Sequence, residues 1–196
     1  PVKQTVKAAL TLKFKSFDAF DEWNSIIAFH NAGLPTMQPM AVAKCNDGTC
    51  SLALGITGYT KASEMFRKLE KGSPRRRALL RKIAALGAGM HNAGLAHQDF
   101  YLVHVFVRES EGDSIYLIDL QRVICDRELS RRWIIKDLGQ MIFSMFEYLS
   151  KREIMIFCLE YCRKRNGIGS RKDVGSLIRS AFRKANSIRR RHDRKR

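Results

Sequence analysis

The stretch Gly94–Arg122, GLAHQDFYLVHVFVRESEGDSIYLIDLQR, decides how the rest of the chain is read. It holds two short acidic motifs, His97-Gln98-Asp99 and Ile118-Asp119-Leu120. Each stands beside a strand-like apolar run, Val103–Val107 and Ile115–Ile118. The polar, Gly-containing segment Arg108–Ser114 between the runs reads as a hairpin loop. An Asp before a hairpin and another at its exit can hold two carboxylates around one small volume. A hard cation prefers carboxylate oxygens, so Asp119 is a candidate metal ligand. Asp99 is a candidate for accepting or orienting a hydroxyl proton, with a turn-capping Asp as the plainer alternative.

The spacing resembles the catalytic loop of protein kinases, H-R-D-x-x-x-x-N followed by D-F-G. The departures narrow it: Gln98 stands for Arg, His104 for Asn, and Leu120-Gln121 for Phe-Gly. The set H-x-D-x-x-x-x-H followed by I-D-L-x-R resembles the bacterial lipopolysaccharide core kinases, the heptose-kinase and Kdo-kinase family. That resemblance extends from Glu22-Trp23, through Gly33–Met37, to Arg131–Trp133 and Lys136-Asp137-Leu138. It implies an α+β, protein-kinase-like fold of two lobes, the second mainly helical. It implies a phosphotransferase that uses ATP and Mg2+ to phosphorylate a core sugar, heptose above all. Catalysis falls to Asp99, metal binding to Asp119 and His104, and nucleotide binding to Lys3, Glu22 and His104. His104 keeps three roles open: metal ligand, phosphate donor, or core His satisfied by a carbonyl. For the nucleotide Lys, Lys3 fits the family strand, while Lys13 fits the general V-A-I-K pattern. His97 is expected to pin the loop. Asp137 either braces the loop from a following helix or is an exposed helical Asp.

Length and composition fit this reading. A chain of 196 residues, 45% hydrophobic, can bury a sizeable core. Thirty-six Lys and Arg against 19 Asp and Glu give a formal net charge of +17, which speaks to anionic partners and not to fold. The partners expected are ATP, a lipopolysaccharide core precursor and an anionic membrane surface; nucleic acid is not expected, because no nucleic-acid-binding motif is present. The location implied is cytoplasmic, peripheral on the inner face of the bacterial inner membrane. No apolar run approaches the roughly 20 residues of a membrane-spanning helix. The five cysteines show no C-x-x-C spacing, so reduced thiols are expected, with a zinc site from Cys45, Cys50, Cys158 and Cys162 as the minor alternative. The competing functional readings are a related small-molecule or protein kinase, and a non-catalytic basic module binding membrane or nucleic acid.

In chain order, residues 2–7 and 10–14 read as strands. A helix capped by Ser16 or Asp18 runs to Asn31, followed by strands at 40–43 and 51–56. Helices are expected at 62–69, from Pro74 to Asn92, at 133–149, 152–161 and 174–188. The last is basic and amphipathic. The domain division expected is a partial first lobe at 1–57, a catalytic lobe at 58–188 and a basic tail at 189–196. That tail, without an apolar residue, is expected to be disordered on its own. No Gly precedes Gly33, so the phosphate-covering Gly-rich hairpin of a kinase is expected to lie upstream of Pro1, and the chain by itself to be a poor catalyst.

Overall fold

The computed structural model describes residues 18–46, 48–109 and 113–194. The strands expected at 2–7 and 10–14, together with Lys3 and Lys13, lie outside these residues. The described chain is a mixed α+β structure in which helices dominate after residue 62.

Helix α1 (Ala19–Asn31) begins where a side chain can satisfy its first N–H groups. Asp18 Oδ1 accepts from the amides of Phe20 and Asp21, and Asp21 reaches back to the Asp18 amide, a reciprocal capping box. Strands β1 (Pro39–Cys45) and β2 (Gly48–Ala53) pair antiparallel and pack on α1. The amide of Ala19 donates to Thr49 Oγ1, which fixes α1 to the hairpin. Strand β3 (Thr60–Lys61) leads into α2 (Ala62–Lys68).

Helix α3 (Pro74–Asn92) has Pro at its first turn and Ser73 capping the amide of Arg76. Leu79, Leu80, Ile83, Leu86 and Met90 form its buried stripe, as their spacing predicts. The chain then turns at Gly94, whose φ is +77° and where an added Cβ would stand 2.3 Å from the carbonyl oxygen of Asp126. That approach lets strand β4 (Leu95–Ala96) pair with β7 (Ile124–Cys125). The pairing joins the segment before Asp99 to the segment after Asp119.

Strands β5 (Val105–Arg108) and β6 (Ser114–Leu117) form the expected hairpin, with β3 added along β5. The first run does not begin as a strand, however. Leu102–His104 is a 3-10 turn, closed by the His104 amide on the carbonyl of Tyr101. A strand would alternate Val103 and His104 across the sheet; the turn swings the His104 ring back toward Asp99 instead. Pro35 and Thr36, just after α1, grip the far strand. The Leu117 amide donates to the Pro35 carbonyl, and Thr36 Oγ1 donates to the Leu117 carbonyl at 2.7 Å.

Three helices follow: α4 (Arg131–Met145), α5 (Lys151–Lys164) and α6 (Arg171–Asp193). Helix α4 stops four residues before the expected Leu149, because Ser150 and Glu153 form a capping box that starts α5. Glu153 also pairs with the buried Arg76 of α3, whose guanidinium donates to the carbonyls of Phe66, Leu69 and Tyr148. Burial opposes the Glu153 charge, but the Ser150 amide and hydroxyl and Arg76 outweigh it and hold its carboxyl below the usual range. Cys158 and Cys162 lie buried in α5, their thiols pushed up by burial to about 12 and about 11. They behave as small apolar core groups.

The basic segment after Ile188 corrects the expectation of disorder. Helix α6 continues through it to Asp193. Leu177, Ala181 and Ala185 bury one face against α4, so the helix is nucleated by packing and extension adds a hydrogen bond per residue. Arg is a good helix former, and cations suit a helix C-terminus. Aromatic contacts hold the end: Arg189 lies 5.5 Å over the Phe146 ring and His192 packs 5.8 Å from Phe143.

The close approach of α4 and α6 rests on Gly139, where an added Cβ would stand 2.4 Å from Lys184 Cγ and 2.7 Å from its Cβ. Gly139→Ala gains about 1 kcal/mol of helix propensity but overpacks this contact at a cost of about 1–3 kcal/mol. The expected outcome is a lower thermal midpoint. A midpoint equal to or above wild type in a melting experiment would show that α6 can retreat freely.

Candidate active site

The loop carrying Asp99 is built around Asp137, which is fully buried in the first turns of α4. Its Oδ2 accepts from the His97 amide at 2.7 Å and its Oδ1 from the Gln98 amide at 2.8 Å. A third donor reaches Oδ2, His91 Nε2 at 3.2 Å, and Tyr161 stands behind at 2.7 Å from His91 Nδ1. Between the two expectations for Asp137, the structure selects the bracing one.

One helical turn further on, Gln140 repeats the device. Its Nε2 donates to the Gln98 carbonyl at 2.6 Å and its Oε1 accepts from the Phe100 amide at 3.3 Å. Gln98 itself sits at φ +72°, a left-handed conformation costing about 1–3 kcal/mol for a residue with a side chain. The four hydrogen bonds from Asp137 and Gln140 to loop backbone offset that strain. His91, Gln140 and Tyr161 were not singled out from the sequence. The one available signal was the i, i+3 spacing of Asp137 and Gln140, which places both on one helix face.

His97 is buried and pins the loop as expected. Nε2–H donates to the Ile118 carbonyl at 3.0 Å, while Nδ1 accepts from the Asp99 amide at 3.2 Å. Burial holds its pKa below the usual imidazole value, against the opposing pull of Asp137, so the ring is neutral at pH 7. His97 thereby couples the two acidic motifs through their backbones.

His104 couples them a second time. Its Nδ1–H donates to the Asp99 carbonyl at 2.7 Å, which leaves Nε2 as a lone pair in the neutral ring. That nitrogen lies 3.4 Å from Asp119 Oδ2. With that nitrogen unprotonated the two are acceptors across a short gap, an arrangement that a proton on the ring or a bound cation relieves. Asp119 reaches the position through a left-handed backbone, φ +63°, and its side chain is half exposed. Among the described residues no third His, Cys, Asp or Glu completes a protein-only metal cluster. One carboxylate and one further donor nonetheless fit a cation whose other ligands come from phosphates and water, the usual situation of Mg2+.

Glu22 of α1 closes the site from the other side. Its carboxyl is pushed above the usual range, first by burial and next by the negative charge of Asp119, while the Ser51 hydroxyl opposes the shift. Glu22 and Asp119 thus carry like charges close enough to repel each other. Asp99 has a positive partner, Arg122 Nη1 at 2.9 Å from Oδ2. Lys136 flanks the loop, 2.5 Å from Gln98 Oε1, and burial followed by repulsion from Arg122 lowers its pKa. Of the sites expected from sequence, Asp99, His104, Asp119 and Glu22 are brought together; Lys3 lies outside the described residues.

A braced Asp loop, a hairpin and a second Asp at its exit, with a Glu helix facing it, define a protein-kinase-like fold. The solved structure titled "WaaP in complex with acyl carrier protein" superposes with a TM-score of 0.73 at 25% identity, covering 85% of this chain and 75% of that one. The lipopolysaccharide kinase (Kdo/WaaP) family profile matches residues 2–161, and the chain belongs to that family. Its relatives include the lipopolysaccharide core heptose(I) kinase WaaP of Pseudomonas aeruginosa, 29% identical over 82% of this chain and 65% of that protein. The enzymes of the same name from Escherichia coli are 27% identical, one over 82% of this chain and 66% of its own length, that of strain K12 over 99% and 78%. The chain thus spans about two thirds of the length of the first two.

Asp137→Asn tests the brace. An amide there turns an N–H group toward a backbone donor, and each buried donor left unsatisfied costs about 1–3 kcal/mol. Denaturant unfolding should show a loss of that size, and amide exchange at His97 and Gln98 should accelerate. Unchanged protection of these two amides would mean that the loop holds itself.

Proposed function

We propose that this chain is the catalytic part of an ATP-dependent kinase that phosphorylates a heptose hydroxyl of the lipopolysaccharide inner core. Family membership and the relatives' activity support the substrate class. The observation that carries the chemistry is the His104 ring, which touches the Asp99 carbonyl with one nitrogen and faces the Asp119 carboxylate with the other. It sets the hydroxyl-activating residue and the candidate metal ligand at a fixed spacing.

Phosphoryl transfer needs positioning and charge compensation more than covalent help. Asp99 accepts or orients the proton of the attacking hydroxyl. Arg122 and Gln140 restrain its side chain. Asp119 and His104 would hold Mg2+, which when bound supplies positive charge against the nucleotide phosphates. Glu22 holds a phosphate-binding Lys, with Lys3 as the proposed partner and Lys13 as the alternative. In this reading residues 1–57 contribute part of the nucleotide-binding lobe and 58–188 the catalytic lobe.

The proposed location is the inner face of the bacterial inner membrane, by peripheral contact. No described helix is long and apolar enough to cross a membrane. Arg179, Arg183 and Arg190 are exposed on α6 and fall within about 40° of one another around its axis. Near an anionic leaflet such residues contribute about 1 kcal/mol each, screened by salt.

Two measurements test the proposal. Asp99→Ala should lower transfer to a heptose acceptor about 10²–10⁴-fold while leaving the thermal midpoint close to wild type; wild-type turnover would remove Asp99 from catalysis. For the metal, Mg2+ alone should raise the thermal midpoint at pH 7.5. The effect should fade as pH falls and the raised Glu22 carboxyl takes up its proton. Asp119→Asn should abolish the Mg2+ shift. A shift that persists in this variant would place the cation elsewhere.

A further inference from the structure

A cavity of about 370 Å³ lies against the loop between α5 and α6. Arg131 and Ile134 of α4 line one side, Asp173 and Ser176 of α6 another, and Arg165 and Gly167 of the loop a third. None of the residues that gather around Asp99 and Asp119 lines it.

Arg165 organises this cavity. Its amide donates to the Tyr161 carbonyl at 2.9 Å where α5 ends. Its Nη1 donates to Asn92 Oδ1 at 2.9 Å and to the Asn166 carbonyl at 2.8 Å. Asn92 is itself fixed, accepting from the Asn166 amide and donating to the Lys164 carbonyl, both at 3.0 Å. The guanidinium is thus held in place before any ligand arrives. Its Nε, however, is buried with no hydrogen-bond partner among the described residues. A buried donor without an acceptor is unfavourable, and a guanidinium fork matches the oxygens of carboxylate and phosphate. Arg131 brings a second guanidinium, which donates to the Ser176 hydroxyl at 2.9 Å. Asp173 brings a carboxylate, whose Oδ2 accepts from the Ser170 hydroxyl at 2.6 Å. Two guanidinium groups that arrive from different elements suit a tetrahedral anion better than a planar one. The volume leaves room for a short carbon chain beside it.

A line of buried polar groups connects Arg165 to the Asp99 loop. Burial pushes the Tyr161 hydroxyl above the usual phenol range, and the Arg165 guanidinium beside it opposes the shift by charge and a hydrogen bond. The hydroxyl lies 2.7 Å from His91 Nδ1, and His91 Nε2 lies 3.2 Å from Asp137 Oδ2. Donors run one way along this line: Nε2–H to Asp137, the Tyr161 O–H to Nδ1, and the guanidinium to the Tyr161 oxygen. Asp137 in turn holds the amides of His97 and Gln98.

We propose that this cavity is an effector site for a small phosphorylated molecule, held by Arg165 and Arg131, and that its occupation stiffens the Asp99 loop through Tyr161 and His91. Fixing Arg165 at one end of the line fixes the support of the loop at the other. Neither the binding nor the stiffening requires the kinase reading to hold.

The test titrates the protein with glycerol 3-phosphate and with glycerol, followed by NMR, for wild type, Arg131→Ala, Asp173→Asn and Tyr161→Phe. Wild type should bind the phosphate about tenfold or more tighter than glycerol. Arg131→Ala should lose that margin with its thermal midpoint unchanged, and Asp173→Asn, which removes a like charge, should bind about twofold or more tighter. The nitrogen resonance of His91 Nδ1 in wild type should move along the same binding curve. At saturation, amide exchange at His97 and Gln98 should slow about threefold or more in wild type, and should not slow in Tyr161→Phe, which still binds the phosphate. Equal affinity for glycerol, binding that Arg131→Ala leaves intact, or binding that Asp173→Asn weakens overturns the proposal. So does a wild-type loop, or a His91 resonance, that ignores the bound phosphate, and so does slowing that persists in Tyr161→Phe. Vesicles of phosphatidylglycerol that bind through Arg131 where glycerol 3-phosphate does not would give the arginines to a lipid headgroup, which overturns it as well.

Discussion

The site depends on a carboxylate that never meets solvent. Asp137 is buried, and two of its three hydrogen-bond donors are backbone amides of the loop it supports. A buried charge is tolerable only when paired or fully hydrogen-bonded, and breaking such an arrangement costs several kcal/mol. The requirement works in both directions. The loop needs Asp137 to hold Gln98 in a left-handed conformation, and Asp137 needs the loop amides to compensate its own burial. Helix α4 cannot shift along its axis without giving up both, so the Asp99 loop is referenced to the helical core.

A second layer of constraint links the acidic motifs to each other. His97 bonds the backbone at Asp99 and at Ile118; His104 bonds the backbone at Asp99 and faces the carboxylate of Asp119. The two rings stack 5.8 Å apart. On the outer side, Thr36 and Pro35 clamp the end of the strand that leads to Asp119, so α1 and its Glu22 move with that strand. The parts with chemistry are thus each tied to a neighbour by at least one backbone hydrogen bond, the least adaptable kind of contact available to them.

Much of this was legible in the chain. The helix with Pro74 at its start, the hairpin pair and the ordered acidic motifs follow from capping chemistry and periodicity, because these signals are local. The roles of Asp137 and His104 were open because they depend on what faces them. An Asp in the first turns of a helix looks the same whether it meets water or two loop amides. Gln140 carried only its spacing from Asp137, and His91 no usable signal; their partners lie 42 and 46 residues away. The 3-10 turn at Leu102–His104 hid inside an apolar run that favours a strand. The helical end of α6 was hidden for the opposite reason: its composition favours solvent, and the rings of Phe143 and Phe146, distant in sequence, hold it in place.

Helix α6 contributes its apolar face to the fold and its last turns to the mouth of a cavity beside Asp99. The two duties fall on different residues, Leu177, Ala181 and Ala185 on one hand, Arg191 and Arg194 on the other. Codons for the second group can therefore drift without cost to the core or to the Asp99 loop. Substitution in that short stretch changes the charge beside Asp99 while the packing that positions the loop stays as it was.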